Sequence, residues 1–229
     1  MRRARTLLAT LLPLCSALWG ACWVLWSTNS FASDASDPAP ADLEALMELL
    51  AGSGGVRARF QESRHLSILT DPIETAGVLY FAPPDRLARH TTRPGRSSVV
   101  VDAGRVSFGD ETGRRAFDVN ASEVARTLVS NLMVVLRGDL ESLRAQYSVG
   151  FEVGDGNWTL DLEPRSRALR GIIRRIRFTG RGRELDAMET RESNQDRTIT
   201  TFSDIETGLV WETPELERIF SLDPPDAAP

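Results

Sequence analysis

The stretch Thr75–Pro94, TAGVLYFAPPDRLARHTTRP, sets the pattern of the fold because it holds two strands that meet at a proline corner. The run Val78–Phe81 is rich in β-forming residues, and Pro83-Pro84 must end it because proline has no N–H for a sheet ladder. Residues 86–92 suit a second, antiparallel strand with one wet face. Alternate side chains of a strand point to opposite sides, so the first strand is apolar on both faces. We therefore expect a sheet that needs a cover on both faces, or a ligand on one.

The first 32 residues have the features of a secretory signal peptide. Three arginines at positions 2, 3 and 5 precede the uncharged run 6–26, and small residues at 30 and 32 offer a cleavage site. An uncleaved anchor is the alternative, since about 20 apolar residues can span a bilayer. A lipoprotein signal at Cys22 fits less well because the apolar run continues past it. We expect a signal peptide over 1–32, a linker over 33–41, one domain over 42–222 and a disordered tail over 223–229.

Composition narrows the chemistry of the chain without its leader. Cys15 and Cys22 are the only cysteines and both lie in the leader, so the rest has no disulfide, thiolate metal site or cysteine nucleophile. Without the three leader arginines, 24 of the 27 basic residues remain against 32 acids, a formal net charge of −8. Every basic residue is arginine. An acidic chain argues against general nucleic-acid binding.

The order of elements is two β-meanders around one helical excursion. Apolar residues recur at helical spacing after Asp42, and from Val56 the period changes to two. Asn120 to Glu123 reads as a capping box, and the helix it opens is apolar all round at residues 132–136. The predicted helices are 43–51, a helix running to about Arg137, and a short one after Asp139 that ends at Gln146. The predicted strands are 56–69, 78–81, 86–92, 98–102, 105–109, 114–119, 147–153, 158–162, 172–179, 185–191 and 198–205, with residues 210–211 and 216–222 closing the ordered chain.

Residues 165–183 form a basic segment with eight arginines and no acid. One interpretation is a surface for anionic lipid head groups or an acidic partner. The other is that Arg175 and Arg177 form the wet face of a strand whose Ile176 and Phe178 point inward. His65 and His90 lack the neighbours of a metal-ligand pattern, and we assign both as surface or strand residues.

The chain resembles the periplasmic outer-membrane lipoprotein carrier family, LolA-like, and its lipoprotein-receptor relatives, LolB-like. The resemblance spans about Leu43 to Ser203 and rests on the order and spacing of four motifs: Val56-x-Ala58-x-Phe60-Gln61; Gly77-Val78-Leu79-Tyr80-Phe81 before Pro83-Pro84-Asp85-x-Leu87; Val99-Val100-Val101-Asp102-x-Gly104; and Trp158-x-Leu160-x-Leu162-x-Pro164.

The resemblance implies a mainly β fold with some α, in which a strongly curved sheet forms an incomplete antiparallel β-barrel covered by a helical lid. It also implies an apolar cavity that takes up acyl chains. In the family an arginine before the proline at the end of the second strand latches the lid. That position is Pro83 here, which has no donor, and Arg86 is the candidate substitute.

We predict that apolar side chains of the strands and of the lid helix line this cavity. The alternative for each of them is a dry core, since strands bury apolar faces in most folds. We expect no catalytic residue, metal ligand or cofactor. The predicted lipid-binding residues are Phe60, Leu79, Phe81, Leu87, Val99, Val101, Val106, Phe108, Leu132, Leu136, Trp158, Leu160, Ile176 and Phe178.

The favoured function is a non-enzymatic periplasmic carrier, or chaperone, that shields the acyl chains of a lipoprotein or related lipid on its way to the outer membrane. We expect a monomer whose partners are that ligand, an inner-membrane transporter or exporter and an outer-membrane acceptor, with no nucleic acid. A specialised carrier of a fatty-acyl or polyene lipid is a close variant. A periplasmic β-rich binding module or stress-sensor-like scaffold without lipid is the alternative from another class, and a hydrolase would need a nucleophile and base that the sequence does not show.

Overall fold

A computed structural model describes residues 39–118 and 132–222 of the 229-residue chain. These residues belong to one compact unit, Ser36–Pro229. The predicted signal peptide, most of the linker, the capping box at 120–123 and the tail 223–229 lie outside the described residues.

The first meander has the predicted order of elements. Asp42 caps the first helix, because its carboxylate accepts a hydrogen bond from the Ala45 amide at 2.8 Å. The chain turns between the fourth and fifth strands with Ala103 and Gly104 at positive φ. The elements are α1 Leu43–Ala51, β1 Gly55–His65, β2 Ile73–Ala82, β3 Arg86–Arg93, β4 Ser97–Asp102, β5 Arg105–Asp110 and β6 Gly113–Asp118.

The first strand is shorter than predicted. We expected it to continue to Leu69, but β1 ends at His65 and residues 66–72 form a loop. The amide of Ser67 donates to Oδ1 of Asp196 at 2.7 Å instead of to a neighbouring strand. The apolar spacing of Leu66, Ile68 and Leu69 was therefore a wrong indicator of strand.

The second half contains two helices that the sequence reasoning did not identify. α4 has four residues, too few to produce a periodic signal, and α5 follows Val210 and Trp211 with Pro214 in its first turn. The elements are α2, of which residues 132–136 are described, α3 Leu140–Gln146, β7 Tyr147–Gly154, β8 Asn157–Pro164, α4 Arg167–Arg170, β9 Ile173–Arg181, β10 Glu184–Glu192, β11 Arg197–Leu209 and α5 Thr213–Ile219.

The strands of the described residues form one antiparallel, curved and unclosed sheet of eleven strands in the order β6-β5-β4-β3-β2-β1-β11-β10-β9-β8-β7. Each meander is a run of sequential neighbours, and the pair β1–β11 joins the two meanders. In this pair Phe60 lies opposite Phe202, and Glu62 lies opposite Thr200. The sheet edges are β6 and β7, which come before and after the helical excursion. The predicted fold class, mainly β with a helix-covered incomplete barrel, is confirmed.

The sheet is apolar on both faces, as the sequence predicted. We call the side that carries Phe60, Leu79 and Phe81 the inner face, and α1 and residues 132–136 pack on it. The opposite, outer face carries a smaller cluster of Ala88 and Val100, which Ile219 of α5 covers.

Candidate functional site

The inner face brings nearly all of the predicted lipid-binding residues together. Val99 packs against their shared cluster, and Phe108 lies opposite Val99 on β5 and is half-buried. The other twelve are buried members of one cluster: Phe60, Leu79, Phe81, Leu87, Val101, Val106, Leu132, Leu136, Trp158, Leu160, Ile176 and Phe178. Their contact with a lipid stays a prediction.

Helices cover this surface. Leu46 and Met47 of α1 are 0% and 2% exposed, and the run 132–136 is buried throughout. Gly138, at a φ of 63°, lets the end of α2 approach α1 closely, since a Cβ there would lie 2.1 Å from the Met47 carbonyl oxygen. The helices therefore occupy the space directly over the inner face of the sheet.

A cleft remains between these helices and the strands. The space it encloses is small, about 20 Å³, which is room for about one water molecule. Leu50 and Leu136 line it from the helices, and Val56, Phe202 and Ile205 line it from the sheet. Phe202 and Ile205 are only half-buried, so apolar surface reaches solvent at this opening. The cleft is therefore a small apolar opening beside the helix cover.

An ion pair interrupts the apolar inner face. The guanidinium of Arg89 lies 4.3 Å from the centroid of the Phe60 ring, and its Nη2 donates to Glu62 Oε1 at 2.9 Å. Glu62 Oε2 accepts a hydrogen bond from the Thr200 hydroxyl at 3.0 Å. The sequence reasoning missed this pair, although Arg89 stands two residues after Leu87 and so shares its face. The pair closes the apolar surface at the end of the sheet opposite the cleft.

The family's arginine latch is absent at its expected position, and Arg86 does not replace it among the described residues. Arg86 donates to both carboxylate oxygens of Asp102, at 2.9 and 2.6 Å, and its guanidinium lies 5.4 Å from the Phe220 ring on the outer face. This ion pair lowers the pKa of Asp102. Arg86 therefore fixes the outer side of the β3–β4 pair, and the suggestion that it latches the lid was wrong.

Two arginines of the basic segment form the wet face of a strand. Arg177 donates to both carboxylate oxygens of Asp161, at 2.9 and 2.7 Å, and Arg175 lies 3.7 Å from the same carboxylate. The pairing with Arg177 is the main cause of the lowered pKa of Asp161. Ile176 and Phe178 between and beside them point inward and are buried. For Arg175 and Arg177 the structural interpretation is confirmed.

His90 is a buried strand residue on the outer face, 3% exposed. Its Nε2 lies 2.7 Å from the Ile219 carbonyl oxygen, so it donates there, and its Nδ1 lies 2.9 Å from the Ser98 hydroxyl. Burial lowers the pKa of His90. His90 therefore holds α5 against the sheet.

Within residues 39–118 and 132–222, no three His, Cys, Asp or Glu side chains are grouped so that they could hold a metal ion. In the same part of the chain no helix has both the length and the apolar character needed to cross a membrane. The chemistry that the inner face offers is the burial of apolar groups.

Comparison with known proteins finds one relative in sequence and several solved structures that are similar to this chain. The outer-membrane lipoprotein carrier protein of Pseudomonas fluorescens is 24% identical over 166 residues, which cover 72% of this chain and 78% of that protein. Among solved structures, a LolA superfamily protein from Nitrosomonas europaea has 8% identity and a TM-score of 0.46, covering 79% of this chain and 98% of the other. A chain of the Pseudomonas aeruginosa MucA/MucB complex has 14% identity and a TM-score of 0.43, covering 77% and 60%.

The family model described as "Outer membrane lipoprotein carrier protein LolA-like" matches residues 35–208, most of the chain and nearly all of the sheet. The chain therefore belongs to the LolA-like family of outer-membrane lipoprotein carriers.

Proposed function

We propose that this protein is a non-enzymatic periplasmic carrier that shields the acyl chains of a lipoprotein or related lipid during transfer toward the outer membrane. The observation that carries the proposal is an inner sheet face of strand side chains that, in the described residues, is covered by short helices and not by a second sheet. Such a cover can be exchanged for a ligand without breaking the sheet. Family membership and the name of the Pseudomonas fluorescens relative support the same role.

Binding in this proposal is a replacement of like by like. Each buried CH₂ of an acyl chain contributes about 0.8 kcal/mol, and undocking the helices exposes a comparable apolar surface. Most of the gain is therefore offset by the loss of helix packing, which keeps the cargo releasable. The polar side chains Glu62 and Arg89 on the inner face neutralise each other. In this proposal the acyl chain is therefore bound by apolar contacts alone.

The departure from the family latch favours a specialised cargo. Where the family has an arginine, Pro83 follows the end of β2 and offers no donor. Closure here rests on apolar contacts such as those of Leu46 and Met47 with the sheet. A carrier of a fatty-acyl or polyene lipid that works with an inner-membrane exporter is the second candidate on this ground.

We also propose the boundaries expected from the sequence, which are a signal peptide over 1–32, a linker over 33–41, a lipid-binding domain over 42–222 and a disordered tail over 223–229. Monomeric state and the need for an inner-membrane transporter and an outer-membrane acceptor belong to the same proposal. Intact-mass spectrometry of the periplasmic protein tests the first boundary, because cleavage after residue 32 removes the leader together with both cysteines.

The test is lipid mass spectrometry of protein recovered from the periplasm of a bacterium with two membranes. Leu87→Glu places a carboxylate on the inner face, and Phe202→Glu places one at the half-buried rim of the cleft, where folding tolerates it better. Val210→Glu is the matched control, since Val210 is 94% exposed.

We expect near-stoichiometric acylated molecules with the wild type and with Val210→Glu, and a loss with Leu87→Glu and Phe202→Glu. The spectrum also names the class of cargo. An empty wild type whose melting temperature does not rise with added amphiphile would refute the carrier and favour the packed binding module.

A further inference from the structure

The loop between β1 and β2 presents apolar side chains to solvent. Ile68 is 85% exposed, Leu69 is 49% exposed, and Ile73 at the start of β2 is 42% exposed. Two hydrogen bonds fix this loop: the Leu69 amide donates to the Leu66 carbonyl at 3.0 Å, and the Ser67 amide donates to Asp196. Three of the five large apolar side chains that stand exposed in the described residues thus lie within six positions of one anchored loop.

Hydrogen bonds connect this loop to the end of α4. Asp196, which holds Ser67, belongs to the turn between β10 and β11. In the same turn, the Ser193 amide donates to the Ile172 carbonyl at 2.9 Å, and its hydroxyl donates to the Gly171 carbonyl. The loop 66–72, this turn and α4 therefore lie side by side at one end of the sheet.

α4 and the residues beside it carry unneutralised arginines. Arg165, Arg167, Arg170 and Arg174 are all exposed, and none forms an ion pair with a carboxylate of the described residues. This separates them from Arg175 and Arg177, which Asp161 neutralises. We call the loop 66–72 together with these four arginines the basic tip.

Asp71 is an exposed acid within the loop itself, so the basic tip carries four arginines against one acid, and two neighbouring acids are already engaged. Glu192 lies 3.6 Å from Arg64 in an ion pair. Asp196 is buried and accepts hydrogen bonds from the Ser67 amide and the Asn194 side chain. The basic tip is thus locally positive on a chain with a formal net charge of −5, and an anionic surface would orient the molecule with this end toward it.

We propose that the basic tip docks on the surface of an anionic phospholipid bilayer, with Ile68 and Leu69 entering the head-group region and the four arginines contacting lipid phosphates. Arg165 donates through Nε to the backbone carbonyls of Arg144 and Tyr147, but none of the four has a carboxylate partner among the described residues. Exposed apolar side chains beside such cations are the combination that interfacial binding requires. An acidic protein partner would account for the arginines but not for the exposed apolar side chains of the loop. Docking leaves the cleft free, because Phe202 and Ile205 lie farther along β11 from the turn.

The experiment is co-sedimentation of the protein recovered from the periplasm with vesicles of phosphatidylglycerol and phosphatidylethanolamine, and with phosphatidylcholine vesicles as the neutral comparison. We expect binding to the anionic vesicles only, weakening as salt rises. Near such a surface each arginine changes the partition coefficient about fivefold, so Arg167→Gln/Arg170→Gln lowers it by roughly 30-fold. Ile68→Ser/Leu69→Ser lowers it by about tenfold or more, because two apolar side chains no longer leave water.

Matched controls separate the basic tip from general charge and hydrophobicity. Arg105→Gln/Arg181→Gln removes two exposed arginines elsewhere, and Val210→Ser removes an exposed apolar side chain elsewhere. Both should bind within about twofold of the wild type, since neither site belongs to the tip. Equal losses in controls and tip variants, or a wild type that leaves anionic vesicles unbound at low salt, would overturn the proposal.

The inference does not rest on the carrier function. Leu87→Glu, which should empty the inner face, keeps vesicle binding if the basic tip is responsible. Loss of binding in a folded Leu87→Glu protein would show that association runs through lipid uptake in the cavity, and that outcome also overturns the proposal.

Discussion

Truncation of Leu46 tests whether α1 competes with a ligand for the inner face. Leu46 is 0% exposed and lies in the cluster that contains the sheet residues Leu79 and Phe81. Leu46→Ala removes part of the cover while leaving the sheet and its predicted contacts intact. We expect about 2–5 kcal/mol less free energy of unfolding, as for other buried leucines.

The same loss sets an upper limit on the gain in ligand affinity. If α1 must leave before an acyl chain can bind, the variant lowers the cost of opening, and apparent affinity rises as the open fraction rises. A cost lowered by 2.7 kcal/mol, near the low end of the range, corresponds to about 100-fold in the dissociation constant. Displacement of a fluorescent fatty-acid probe measures the dissociation constant, and urea unfolding measures the stability.

Ile219→Ala is the control, because Ile219 is 6% exposed in the separate cluster on the outer face. It should lower stability without changing probe affinity. A Leu46→Ala protein that loses stability but binds the probe no better than Ile219→Ala would refute the idea that α1 is an exchangeable cover.

Three further predictions concern the framework. Burial lowers the pKa of His90 below its ordinary 6.5, so the unfolded chain takes up a proton before the folded protein does. The free energy of unfolding should therefore fall as the pH drops below about 6.5, by at most about 1.4 kcal/mol per pH unit. In His90→Gln the urea midpoint should depend less on pH between 7.5 and 5.5, and an equal dependence would contradict this. Gly77→Ala would place a Cβ 1.9 Å from the carbonyl oxygen of His90 and should lower the free energy of unfolding by about 1–3 kcal/mol or more. The control Gly154→Ala, whose Cβ would have nothing within 4 Å, should be nearly neutral. Thermal unfolding compares the two, and similar melting temperatures would contradict the prediction. Arg89→Met leaves the Glu62 carboxylate without its cation and should lower the free energy of unfolding by about 1–3 kcal/mol. Adding Glu62→Gln should restore most of that loss. A double-mutant cycle measures this, and strictly additive effects would show that the two residues are not coupled.

Much of the fold was readable from local pattern. Pro83 and Pro84 end β2 and Asp42 and Asp139 cap helices, because these effects act within a few residues. The pairing signals of hairpins such as β4–β5 are equally local. The strand that was wrong beyond His65 failed because apolar spacing cannot tell a buried strand from an exposed loop; a hydrogen bond from Ser67 to a residue 129 positions away made the difference.

The sequence predicted which residues form the candidate site, but not that helices fill the space above them. Period-two alternation placed residues such as Phe60, Leu79 and Phe178 on one face, and the structure buries them together. That α1 and residues 132–136 fill the space above them depends on how far the sheet curves. Arg89 escaped notice because a charge on an apolar face is visible only once Glu62 of β1 is known to approach it.

By itself the sequence determined two antiparallel meanders around one helical excursion, since turn residues and the two periods of apolar side chains act over short distances. The tertiary structure alone decided that β1 pairs with β11 and so joins the meanders, because that contact spans most of the chain. It also decided the direction of the valine strand. Val99, Val100 and Val101 are all apolar, and only the pairing of Val101 with Leu87 sends Val101 to the inner face and Val100 to the outer one.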